Sequence, residues 1–231
     1  AVSVRRMLGT ESVAATGDKV AVAPLLKEVS VLSGGILVGL LVSQLDRIIL
    51  SRTVDVASFG IYTVVATLAL AFLQLQTPVT RAFFPLIVRD IQHYGRASAT
   101  HIKKMFVWTA FTCTLPVLIA CVFAPQILTL WLRDPVVVNI GTVPLRLLLL
   151  AVALNSLYGC IYQLFIAAGK SRLVLQLNLA SLFMASVVIV LYCDSGGILL
   201  GGAIWLANTS TQLLLGIVWL TCFFRPMNIS R

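Results

Sequence analysis

The chain has 231 residues, 59% of them hydrophobic and 11% charged, and a mean hydropathy of +1.01. Soluble domains run at about 45–50% apolar and about 25% charged residues, so a water-soluble fold is excluded and the class is an all-α integral membrane protein. The net charge of +9 would suggest a nucleic-acid partner in a soluble chain, but the cations sit in short segments between apolar runs, where they mark membrane-surface loops and no nucleic acid is expected.

Residues 1–29 read as a cytoplasmic linker. They contain no apolar core of a signal peptide, and the chain opens on Ala1 in the manner of the middle of a longer polypeptide. "VAVAPLLKEV" (20–29) reads as a short interfacial helix leading into the membrane. A spanning helix needs roughly 20 mainly apolar residues, and six runs qualify, at about 30–51, 58–80, 104–130, 144–168, 172–193 and 197–223. Backbone groups in lipid must bond internally, and the runs lack the alternation of barrel strands, so helices are expected. Between them stand "RTVDVAS", "YGRASAT", "RDPVVVNIGTVP", "GKSR" and "CDSGG", all turn-rich. The second helix is expected to run past Pro85 and turn at Gly95. Residues 224–231 are a tail.

Thirteen of the seventeen Lys and Arg residues fall on the side of the termini and the even-numbered loops, and four fall on the other. The positive-inside rule puts both termini in the cytoplasm. The five cysteines lie in or beside apolar runs with no CxxC and read as small core hydrophobes. His93 and His101 read as solvated rather than as metal ligands, and no metal site is expected.

Helical periodicity, at 100° per residue, aligns the polar residues. Gly35, Gly39, Ser43 and Asp46 share a face of the first run, and Thr63, Thr67, Gln74, Pro78, Arg81 and Pro85 share one of the second. Asn155, Gly159 and Tyr162 align in the fourth, Asn178, Ser181 and Ala185 in the fifth, and Gly197, Gly201, Asn208 and Gln212 in the sixth. Two physical readings stand side by side. Small and polar residues glue membrane helices together, or they line a shared wet cavity. Asp46 is the one carboxylate that falls inside a predicted span, and such residues face a partner or water. Arg47 either snorkels to the outer headgroups or joins the cavity, while Arg81 lies on the polar stripe itself.

Several segments share a pattern with one family. "SQLDRIILSRTVDVASFGIYTVVATLA" (43–69) carries Asp46-Arg47 near a helix end and Gly60-x-Tyr62 opening the next helix. "PVTRAFFPLI" (78–87), "FAPQILTLWL" (123–132), "NSLYGCIYQLFIAAGKSRLVLQLNL" (155–179) and "GGILLGGAIW" (196–205) follow in order. Together, over about residues 25–225, they resemble the C-terminal half of bacterial polysaccharide flippases, the Wzx-like O-antigen and teichoic-acid exporters of the MATE-like superfamily. The resemblance implies one lobe of a two-lobe transporter in the bacterial cytoplasmic membrane. It also implies translocation of an undecaprenyl-pyrophosphate-linked oligosaccharide by alternating access, with the missing N-terminal lobe or another subunit as partner. On that reading Arg81 and then Arg47 would hold the pyrophosphate, since guanidinium suits it by bidentate bonding. Thr63, Thr67, Gln74, Asn155, Asn178, Asn208 and Gln212 would serve the sugars, and Asp46 would exchange H⁺ or Na⁺ as the coupling ion, with no other cofactor. The rivals are a multidrug or cation antiporter lobe of the same superfamily and a non-transporting membrane interaction fragment. An enzyme is not expected: the chain has no DxD, HExxH or GxSxG.

Overall fold

In the computed structural model, residues 22–223 are described, with side chains of 22–29, 31 and 223 excepted. The segments 1–21 and 224–231, with Arg5, Arg6, Lys19, Arg225 and Arg231, lie outside the described residues. The described chain is an α-helical bundle whose six long apolar helical segments, Leu32–Thr53, Val56–Tyr94, Ala99–Val122, Pro135–Ala167, Ser171–Tyr192 and Leu199–Cys222, are each long enough to cross a membrane. The protein is therefore an all-α, multi-pass membrane bundle.

The helices are α1 (Val22–Thr53), α2 (Val56–Leu73), α3 (Thr77–Tyr94), α4 (Ala99–Thr109), α5 (Leu115–Val122), α6 (Ala124–Leu132), α7 (Pro135–Ala167), α8 (Ser171–Tyr192) and α9 (Leu199–Phe223). α1 is continuous from Val22, so the expected lead-in helix is the first part of α1. Asp55 caps α2 by accepting a 3.0 Å bond from the Ser58 amide. Hydrogen bonds from Ser58 hold this exposed carboxyl below the usual range. α3 runs past Pro85 as expected and stops at Gly95, whose φ of +69° is a left-handed cap that glycine adopts without steric cost.

α7 begins nine residues before the expected run. The sequence around 135–143 reads as a loop because of Pro135, Asn139, Gly141 and Pro144. In the structure Asp134 caps the helix through the Val136 amide, at 2.9 Å, and Pro135 takes the first position, where its missing N–H costs nothing. Its 33 residues rise about 50 Å at 1.5 Å each, well beyond a hydrocarbon core of about 30 Å. α7 is the hub: α2, α3, α4, α5, α6, α8 and α9 all pack on it, while α1 leans on α8 and α9. The main core joins Leu145, Leu148, Leu149 and Val152 of α7 to Tyr62 and Val65 of α2, Val117 of α5, Leu128 of α6, and Leu200 and Ile204 of α9.

Two of the spans are broken in mid-course. Gln74–Gln76 is a 3₁₀ turn between α2 and α3, and Ala110–Thr114 is a π turn between α4 and α5. Each is followed closely by a proline, Pro78 and Pro116, which cannot donate to the carbonyl four residues back.

α9 approaches α2 closely at Gly201, where a Cβ would collide with the Tyr62 ring. Gly201→Ala is expected to cost about 1–3 kcal/mol by overpacking. Gly34→Ala, with nothing within 4 Å of the new methyl, serves as the neutral control. Unfolding free energies measured by steric trapping in bicelles check both.

Candidate functional site

The polar residues singled out from sequence fall into two sets that face in different directions. The first is interior. Asn178 on α8 donates from Nδ2 to the Gly35 carbonyl of α1 at 2.8 Å, where the absence of a side chain at Gly35 and Gly39 lets α8 come close. Gln212 on α9 donates from Nε2 to Asn178 Oδ1 at 2.9 Å and approaches Ser181 Oγ at 3.3 Å. These buried amides tie α1, α8 and α9 together, which is how polar side chains join helices in a medium without water. Asn208, one turn before Gln212, is buried with Oδ1 lacking a protein partner.

Asp46 belongs to this interior set. It is 2% exposed, and Tyr62 Oη donates to its Oδ2 at 2.5 Å. Its Oδ1 has no partner. The carboxyl borders a crevice shared with Ser43, Arg47, Ala66, Leu148 and Trp205, with a volume of about 10 Å³, the space of one water. Tyr62 did not stand out from sequence as a site residue. A buried acid needs a donor, and the nearest tyrosine across the α1–α2 turn supplies it.

The second set is on the outside. Thr67, Gln74 and Arg81 are exposed and Thr63 is half-buried, all along α2–α3. The threonine hydroxyls bond back to carbonyls of their own helix, Thr63 to Phe59 at 2.9 Å and Thr67 to Thr63 at 2.8 Å, so both are satisfied without a neighbour. Between residues 57 and 93, Leu75 is the one exposed large hydrophobic residue. Ala57, Gly60, Ala71, Pro78, Ala82, Pro85, Arg89, Gln92 and His93 are the other exposed positions there. The other spans differ. α4–α5 shows Val107, Trp108, Phe111 and Leu118 outward, α8 shows Leu179, Phe183 and Val190, and α1, α7 and α9 show similar rows, with Phe111 66% and Phe183 68% exposed.

Arg47 and Asn155 are half-buried, Arg47 beside the Asp46 crevice and Asn155 on α7. The structure thus joins Asp46, Asn178, Asn208 and Gln212 to the interior, aligns Thr63, Thr67, Gln74 and Arg81 outside, and makes no single cluster of the ten. Among the described residues no group of His, Cys, Asp and Glu could hold a metal ion. No protein-family model, curated protein or solved structure matches the chain.

The Tyr62–Asp46 bond can be weighed by a double-mutant cycle. Tyr62→Phe leaves both carboxyl oxygens unpartnered and is expected to cost about 1–3 kcal/mol. The same change in an Asp46→Ala background should cost far less, a coupling of about 0.5–3 kcal/mol. Additive losses in reversible unfolding would show that the bond carries no weight.

Proposed function

We propose that this chain is one six-helix lobe of a transporter that carries a lipid-linked oligosaccharide across the bacterial cytoplasmic membrane by alternating access. The observation that carries the reading is the outer face of α2–α3, which presents glycine, threonine, glutamine, proline and arginine where the other spans present large apolar side chains. Lipid tails offer a guanidinium and an amide no bonding partner, and such groups in a span face water or protein. A face of this kind suits one wall of a wet path, closed on its far side by a second lobe in the same polypeptide or in another subunit.

The chemistry of the face favours an anionic, hydroxyl-rich cargo. Arg81 offers bidentate donors to a pyrophosphate. Gln74 offers a neutral donor and acceptor to sugar hydroxyls, and Thr63 and Thr67 keep acceptor capacity beyond their helix bonds. The only carboxylate on α2–α3, Asp90, is buried against His101, so nothing on the face attracts the organic cations that a multidrug antiporter lobe would carry. Sequence motifs of the flippase pattern and the thirteen-to-four distribution of cations, which puts the termini in the cytoplasm, support the same reading.

The test uses membranes of the cell that makes the protein, so that whatever completes the path is present. Single cysteines at Thr67, Gln74 and Arg81 are expected to react with a membrane-impermeant maleimide, and those at Phe111, Leu118 and Phe183 to stay unlabelled. A face buried against another protein would be silent at all six positions, which is the outcome for a non-transporting fragment. Arg81→Gln should slow flipping of a fluorescent undecaprenyl-pyrophosphate oligosaccharide in reconstituted vesicles by roughly tenfold to a hundredfold, the worth of a charge-assisted bond of about 1.5–3 kcal/mol. Arg172→Gln, away from the face, should leave the rate unchanged.

A further inference from the structure

The two mid-span breaks lie against each other. The 3₁₀ turn at Gln74–Gln76 touches the π turn at Ala110–Thr114, and the Cys113 thiol points at the Phe72 carbonyl, 3.9 Å away. Both meet α7 along one stretch. Gln76 lies over Gly159, where a Cβ would collide with its amide. Thr114 Oγ1 and Ser156 Oγ are 2.8 Å apart, and the Cys160 thiol donates to Thr109 Oγ1 at 3.2 Å.

The apolar core divides at the same places. Ala69 of α2 and Cys113 of the π turn belong to the main core. Beyond the breaks, Val79, Ile87, Ala97 and Met105 form a separate cluster against Cys160 and Leu164 of α7. The hairpin between α3 and α4 is clasped at its tip, where the buried Asp90 Oδ2 accepts from the Ser98 amide at 3.2 Å and lies 2.6 Å from His101 Nδ1. A unit with an apolar cluster apart from the main core, its own clasp and irregular helix at both attachments has the anatomy of a hinged body. Short 3₁₀ stretches and π turns inside helices are common at such joints, and a hinge concentrates its backbone change in a few residues.

We infer that residues 77–109 swing as one rigid hairpin about paired hinges at 74–76 and 110–114, sliding on α7 at Ser156–Cys160. The contacts at that level are hydroxyl and thiol bonds, Thr114 with Ser156 and Cys160 with Thr109, which can be exchanged, and the apolar contacts of Ile87 and Met105 with Cys160 and Leu164 are the ones a swing displaces. The hairpin carries Arg81, so on the transport reading above, which this role rests on, its swing opens and closes the end of the path nearest the hairpin tip.

The experiment measures distances by double electron–electron resonance in nanodiscs, without substrate. Labels enter as noncanonical side chains, leaving the five native cysteines in place. The Arg96–Arg172 pair, hairpin tip to the α7–α8 turn, should give two distance populations. The Arg89–Lys104 pair within the hairpin and the Gln126–Asp194 pair on the main body should each give one. Pro78→Ala with Pro116→Ala restores two amide donors and should collapse the Arg96–Arg172 distances to a single population. Deletion of Thr112, which removes the extra residue of the π turn, should do the same. A single Arg96–Arg172 distance in the unaltered chain, a split within Arg89–Lys104, or two populations that survive both hinge variants would overturn the inference. Because no flipping is measured, a moving hairpin in a chain that transports nothing would sink the transport reading alone, and transport with a static hairpin would sink the hinge alone.

Discussion

Hydrocarbon accepts and donates no hydrogen bonds, and the arrangement of this bundle follows from how each polar group in its spans meets that condition. In the interior the solution is side chain to side chain or side chain to backbone. Asn178 takes the Gly35 carbonyl, Gln212 takes Asn178, and Tyr62 takes Asp46. Two of these bonds join consecutive helices, α1 to α2 and α8 to α9, and the Asn178–Gly35 bond joins α8 to the distant α1, so together they fix which helices are neighbours. Apolar contact alone does this poorly in a membrane, because lipid tails are as apolar as leucine. The small residues work with them: Gly35 and Gly39 admit Asn178, and Gly201 admits the Tyr62 ring.

The same condition explains the helix breaks. A proline in a span removes one donor, and the freed carbonyl must be met by a change in helix pitch, a side chain or a neighbour. Pro78 and Pro116 sit two residues after the ends of the 3₁₀ and π turns, the Gln74 carbonyl is met by the Thr77 amide through the change of pitch, and Cys113, Thr114 and Cys160 bond the turns to their neighbours. Pro144 in α7 leaves no comparable break, and α7 continues through it to Ala167. Two prolines at matching depth on neighbouring helices are therefore not isolated kinks, since their joints share one surface of α7.

Much of this fold is legible in the sequence, because length and hydropathy decide whether a helix can span. They do not decide where it stops. The second helix continues past Pro85 and turns at Gly95 as expected, but Lys103 and Lys104 place the expected start of the third run at 104, whereas α4 begins at Ala99. Charge reports where a helix leaves lipid, not where it ends. The loop expected at 131–143 gives way to α7 from Pro135 for the opposite reason: Asp134-Pro135 is a helix-start signal, masked by Asn139, Gly141 and Pro144. Periodicity found the polar faces of α2–α3, α8 and α9 correctly as faces. Whether a face turns inward depends on which helices surround it, and that is a non-local property.

That distinction separates two kinds of polar stripe with nearly the same composition. On α8 and α9 the stripe points at other helices and is consumed by them, amide to amide. On α2–α3 the inward side is already taken by Tyr62, Val65, Ala66, Ala69 and Ile87 packed on α7, so the polar side is left outside. A helix cannot bury both faces against one hub. The sequence of α2–α3 is thus amphipathic in an unusual sense for a span, apolar toward its own bundle and polar away from it, the reverse of the arrangement that lipid alone would stabilise. Lipid-facing helices elsewhere in the bundle place Phe111, Phe183 or Val190 at equivalent positions. Gln74 and Arg81 are exposed there, and polar groups of that kind within a span face water or protein.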